Sequence, residues 1–196
     1  MKKRAYTLKR RAESKDATRE RIVAAAMALH EEVGPKETTI SAIAERAGVQ
    51  RLTVYRHFPD ETALFHACTS HWLSLNPPPS FDAWSGVADP EKRCRAALAA
   101  LYRYYRRTER MWVVSHRDEA EVIAMQEPMA RFRVYLDSIR GDLLKALAPA
   151  KRERRASAAT LKHALAFTTW ASLSGDGLSE DAMADLVMQW LDGAGG

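Results

Sequence analysis

The chain has 196 residues, 46% apolar and 28% charged, with 30 basic side chains against 25 acidic ones. Such a chain fits one globular domain or two small ones and excludes wholesale disorder. No apolar run approaches the roughly 20 residues that span a bilayer, and no apolar stretch of the secretory kind follows the basic N-terminus, so a cytoplasmic protein with no membrane partner is expected.

Cys68 and Cys94 fit reduced thiols in that setting. Charge is unevenly spread: residues 1–21 hold nine basic and three acidic side chains, residues 22–75 four and six, and residues 76–196 seventeen and sixteen. The positive surplus therefore sits in the first tenth of the chain, as in an arm that faces a polyanion.

Little reads as strand, because apolar residues recur at spacings of three and four and no β-branched alternation persists. An all-α protein of nine helices is expected. Residues 1–15 lack apolar periodicity and read as a flexible basic arm. The first helix is capped within Asp16 to Thr18, carries Ile22, Ala26, Leu29 and Val33, and ends at Gly34-Pro35. A second follows Thr38 or Thr39 and stops at Gly48. A third runs from about Gln50 to Phe58, and a fourth opens at Pro59-Asp60. Asn76-Pro77-Pro78-Pro79-Ser80 breaks the pattern and divides a domain over 16–75 from one over 76–196. The later helices are expected over 91–107, 109–125 (with a break near His116 to Asp118), 128–148, 151–174 and from Ser179 onward.

Within the first domain, Thr39 to Leu64 holds two short helices joined through Gly48, the pattern of a helix-turn-helix. Ile40, Ile43, Val49, Val54 and Phe58 are spaced to fix the pair to the first helix. Gln50, Arg51, Thr53, Tyr55, Arg56 and His57 remain for the outer face, where such donors suit phosphate. Through Thr39, Ile43-Ala44, Ala47-Gly48-Val49, Thr53-Val54-Tyr55, His57-Phe58 and Leu64, residues 19–65 resemble the N-terminal domain of TetR/AcrR-type bacterial transcriptional repressors.

That resemblance implies phosphate contacts from Thr39, Tyr55 and His57, and base-edge contacts from Gln50, Arg51 and Thr53. Arg56 is left between DNA and an acidic neighbour. Two departures stand out. Leu52 occupies a position that the family often gives to a small residue, so it either packs or touches a thymine methyl. Glu61 stands where the family usually places a phosphate-binding lysine; it suits its own helix N-terminus but puts a negative charge near DNA.

The resemblance further implies a homodimer on a near-palindromic, double-stranded operator, with the protein associated with the nucleoid. Leu161, Leu165, Met183, Leu186, Val187 and Trp190 on the last two helices are the dimer candidates. Tyr102, Tyr105, Trp112, His116, Met125, Met129, Phe132 and Tyr135 are the candidates to enclose a small, largely apolar or aromatic effector. Effector binding is expected to act through the fourth helix. The alternative is a body that only dimerises or docks a protein partner. No catalytic pair, phosphate-cradling loop or metal motif is apparent, and His66, Cys68 and His71 do not share one helix face. No enzymatic activity, metal or cofactor is expected.

Overall fold

Residues 2–193 are described by the computed structural model, with side chains from Glu13 onward. Among them all regular structure is helical: α1 Lys2–Val33, α2 Ile40–Arg46, α3 Arg51–His57, α4 Glu61–Leu75, α5 Pro90–Asp118, α6 Ile123–Leu147, α7 Arg154–Ala164, α8 Phe167–Gly175 and α9 Glu180–Gly193, with one 3-10 turn at Phe81–Ala83. The class and the helix count agree with the sequence reading, but the count does so through two errors that cancel.

The helices expected over 91–107 and 109–125 begin as one. α5 runs unbroken to Asp118, with neither Gly nor Pro after Pro90 to interrupt it. At the expected break Thr108 is buried, and its hydroxyl donates back to the Tyr104 carbonyl at 2.6 Å, which keeps it inside the helix. Conversely, the helix expected over 151–174 is two. The chain leaves α7 at Leu165, and Ala166 is extended. Carbonyls freed at this break are taken by side chains: Tyr102 donates to Ala164 O and Tyr105 to Leu165 O, each at 2.8 Å, and Thr169 donates to His163 O at 2.6 Å.

The N-terminus also differs from expectation. α1 extends back to Lys2, so Asp16 and Thr18 are interior and cap nothing. No Gly or Pro occurs before Gly34, and Lys, Arg, Ala and Glu are good helix formers, so an irregular arm is not required. α6 begins at Ile123, not 128, and carries Pro128 inside it.

The chain divides into two compact units. The first comprises residues 1–77 and 113–128, the second 78–112 and 129–196. Residues 113–128, assigned by sequence to the second domain, thus pack with the first. In the first unit α1 packs against α2 and α4, burying Ile22, Val23, Ala26 and Leu29 with Ile40, Ile43, Val54, Phe58, Leu64 and Cys68. In the second, Leu98, Leu101 and Tyr102 of α5 are buried, as are Ile139 and Leu143 of α6 and Leu161 and Trp170 of α7 and α8. The loop before α5 is pinned by fully buried Trp84, whose indole N–H donates to Asp142 at 3.1 Å while Arg93 pairs with the same carboxylate at 2.5 Å.

Candidate nucleic-acid interface

α2 starts because Thr39 caps it, its hydroxyl accepting the Ala42 N–H at 3.2 Å, worth about 1 kcal/mol. Gly48 takes φ +65°, a left-handed value that permits the tight turn, and Val49 N–H closes back onto Ala44 O at 2.9 Å. α3 follows at once. Its inner side is Val54, 1% exposed, with Phe58 just beyond at 3%, so one face of the helix is fixed to the core. Arg46 clamps the end of α2 to α1 through a two-pronged pair with Glu32 at 2.6 and 2.8 Å. Asp60 caps α4 by accepting the Ala63 N–H at 2.7 Å.

The opposite face is turned outward. Thr39, Gln50, Arg51, Leu52, Tyr55 and Arg56 are exposed, and Thr53 and His57 are half-buried. Leu52 is 59% exposed, so it does not pack against the core. Arg56 makes no ion pair among the described residues, so the acidic neighbour considered for it is not there. Glu61 is exposed in the first turn of α4.

α1 adds charge to this face. The Arg19 guanidinium lies over the Phe58 ring, 4.8 Å from its centroid, at the end of α3. Burial first, then the charges of Lys15 and Arg19, lower the His57 pKa, while Asp16 opposes them. His57 is therefore neutral near pH 7 and still offers a ring N–H. Its Nδ1 is buried without a partner. Arg19 was not legible as part of the site, because only the fold brings α1 beside the end of α3.

The expected effector residues do not form one set. Six of them, Tyr102, Tyr105, Trp112, Met129, Phe132 and Tyr135, lie in the second unit, whereas His116 and Met125 lie in the first. His116 is exposed and Met125 is buried. Tyr102 and Tyr105 have spent their hydroxyls on the α7–α8 break, and Tyr135 donates to Pro79 O at 2.7 Å. The rings stack on one another, Trp112 on Phe132 at 4.3 Å and Phe132 on Tyr135 at 5.5 Å.

Two residues that the sequence reading passed over complete this cluster. Tyr104 is 1% exposed and Trp170 fully buried, and neither the Tyr104 hydroxyl nor the Trp170 indole N–H donates to an acceptor. Burial raises the Tyr104 pKa, so it stays a neutral donor. Unused donors in an apolar cage are costly unless something accepts from them.

The dimer candidates also divide. Leu161, Leu165, Met183 and Val187 are at most 1% exposed within the single chain, so they serve the protomer's own core and have no surface left to give a partner. Of the dimer candidates on α9, Leu186 and Trp190 alone keep partial exposure. On α4, Cys68 turns into the core while His71 is exposed and His66 lies 3.8 Å from Glu127, which separates the three.

A short capped helix, a left-handed glycine and a second helix with one buried and one donor-rich face define a helix-turn-helix DNA-binding unit. Residues 22–68 match the family model described as bacterial regulatory proteins, tetR family. That stretch is therefore similar to the DNA-binding domain of TetR-family transcriptional regulators. No curated protein matches the sequence.

Among solved structures the fold resembles a TetR-like transcriptional regulator from Rhodococcus sp. RHA1 (17% identity, 89% of this chain and 93% of that one, TM-score 0.61). It also resembles a Clostridium perfringens protein provisionally named a fatty acid metabolism regulator (18%, 88% and 97%, 0.64). A third is NalD of Pseudomonas aeruginosa, the secondary repressor of the MexAB-OprM multidrug efflux pump (18%, 92% and 96%, 0.59). Among the described residues no helix is long and apolar enough to cross a membrane.

Proposed function

We propose that the protein is a non-enzymatic cytoplasmic repressor, associated with the nucleoid, that reads a near-palindromic operator as a homodimer. A single recognition helix reads too few bases, so two set about 34–36 Å apart are required. Gln50 and Arg51 supply base-edge donors, Arg51 to guanine and Gln50 to adenine, with Thr53 beside them and Leu52 against a thymine methyl. Thr39, Tyr55, Arg56 and His57 hold phosphates, and Lys15 and Arg19 extend that contact along α1. The observation that carries this reading is the outward, uncommitted face of α3 opposite a buried Val54. NalD, of similar fold, is itself named a repressor.

Release follows when a small, largely apolar or aromatic effector enters the cluster of Tyr104, Trp112, Met129, Phe132 and Trp170. The unpaired donors of Tyr104 and Trp170 favour a ligand that carries at least one acceptor. One observation favours the alternative, a body that only dimerises or docks a protein: the rings already pack on each other.

A thermal-shift screen of apolar and aromatic compounds separates the two, because only a ligand that prefers the folded state raises Tm. Its hits should then lower the affinity of the full-length protein for DNA fragments recovered by selection. Self-association through α9 is tested by replacing Leu186 and Trp190 with Glu; a dimer that persists in light scattering moves the interface elsewhere.

A further inference from the structure

The turn between α1 and α2 is gripped by the last residues of α5, all within the first unit. Asp118, 1% exposed, accepts the Lys36 backbone N–H at 3.1 Å and is paired with Arg117 at 2.6 and 3.1 Å. Arg117 also donates to the Val33 carbonyl at 2.7 Å, satisfying an orphan acceptor where α1 ends. Lys36 Nζ reaches Glu121 at 2.8 Å, just beyond α5. Gly34 sits at the centre with φ +94°, and a Cβ there would collide with both Arg117 and Asp118.

A buried carboxylate is an expensive way to close a turn, since an apolar side chain would avoid the desolvation cost. What the carboxylate adds is direction: it fixes one N–H three residues before the Thr39 cap, and hence where α2 begins. α2 in turn carries α3 through the Gly48 turn.

We infer that Asp118, assisted by Arg117, is a positioning residue for operator reading, which holds the α1–α2 turn from the end of α5. Such a linkage is reciprocal, so DNA bound at the reading head must be felt at the end of α5. It requires only the DNA-binding activity, not an effector.

The test uses the full-length protein and an operator fragment recovered by selection from genomic DNA. Backbone amide exchange is followed for the peptide covering residues 110–118, with and without DNA. DNA is expected to slow that exchange severalfold in the wild type. Asp118→Ala is expected to weaken operator binding about tenfold and to abolish the slowing even at saturating DNA.

Asp118→Asn, which retains an acceptor for the Lys36 N–H, should recover part of both. Arg117→Ala alters a side chain that is 54% exposed, so it leaves the core intact, and it should weaken both effects in the same direction. Wild-type exchange at 110–118 that ignores DNA overturns the proposal. So does an Asp118→Ala protein, saturated with DNA, whose exchange response equals that of the wild type.

Discussion

The Nδ1 of His30 lies 3.4 Å from the Sγ of Cys68, inside the core that α1 and α4 share. Burial lowers the His30 pKa from 6.5 to about 4, with the charge of Asp118 pulling weakly the other way, and burial pushes the Cys68 thiol up to about 12. Both groups are therefore neutral at pH 7 and the thiol is a poor nucleophile. Below pH 6.5 the unfolded chain gains a proton at this site that the folded chain refuses until about pH 4. Stability is lost across that window, by roughly 3 kcal/mol in all. Urea denaturation at pH 7 and pH 5 should show the loss, and His30→Gln should flatten it; an identical pH slope in the variant would refute the assignment.

Adjacent tyrosines of α5 should respond differently to loss of the hydroxyl. Tyr105→Phe strands the Leu165 carbonyl at the α7–α8 break and should cost about 1–3 kcal/mol. Tyr104→Phe removes a buried hydroxyl that donates to no acceptor and should be close to neutral. The same Tyr104 variant should weaken any effector that the thermal-shift screen finds, which separates its role in binding from its role in folding.

On DNA, Arg51→Ala should cost about 1–3 kcal/mol against the preferred site and relax discrimination at one base position. Arg19→Ala should instead weaken all sequences alike and lower the slope of log affinity against log salt by about one. Deleting residues 1–15 should do the same more strongly, because it removes Lys15 and the basic turns before it. Fluorescence anisotropy at several salt concentrations reads all three. Affinity and salt slope unchanged by the deletion would show that residues 1–15 do not touch DNA.

Gly34→Ala combines a left-handed φ of +94° with a collision against Arg117 and Asp118. It should destabilise the first unit by more than about 1 kcal/mol. Gly48 also has a positive φ, but a Cβ there meets no atom, so Gly48→Ala should cost less. Denaturation midpoints of the two variants, compared directly, test the close approach of α5 to the α1–α2 turn.

What the sequence disclosed depended on how local each signal was. Thr39, Gly48, Val54 and Phe58 lie within twenty consecutive residues, and each carries its own reason, a cap, a turn or an apolar spacing. The α7–α8 break has no such mark. It contains neither Gly nor Pro, and its freed carbonyls are met by tyrosines some sixty positions earlier. Thr108 falls between two helices expected from periodicity, yet it is buried in mid-helix with its hydroxyl turned back on its own backbone.

The effector candidates are aromatic and Met side chains with polar groups among them, and residue type cannot tell Tyr105 from Tyr104, since the hydroxyl's partner is a tertiary fact. Periodicity located the apolar stripe of α9 correctly, yet Met183 and Val187 face the chain's own interior. A stripe shows that a face is buried without showing against what.

Because the first unit is assembled from residues 1–77 and 113–128, it is not finished when its helix-turn-helix has been made. During synthesis Asp118 and Arg117 emerge only after the whole first half of α5. Until then the Val33 carbonyl and the Lys36 amide wait for their partners. A fragment cut at residue 77 would hold every expected base-contacting side chain and still lack the piece that closes the turn behind them. A reading head intended for transplantation onto another sensor should carry residues 113–128 with it as a grafted hairpin.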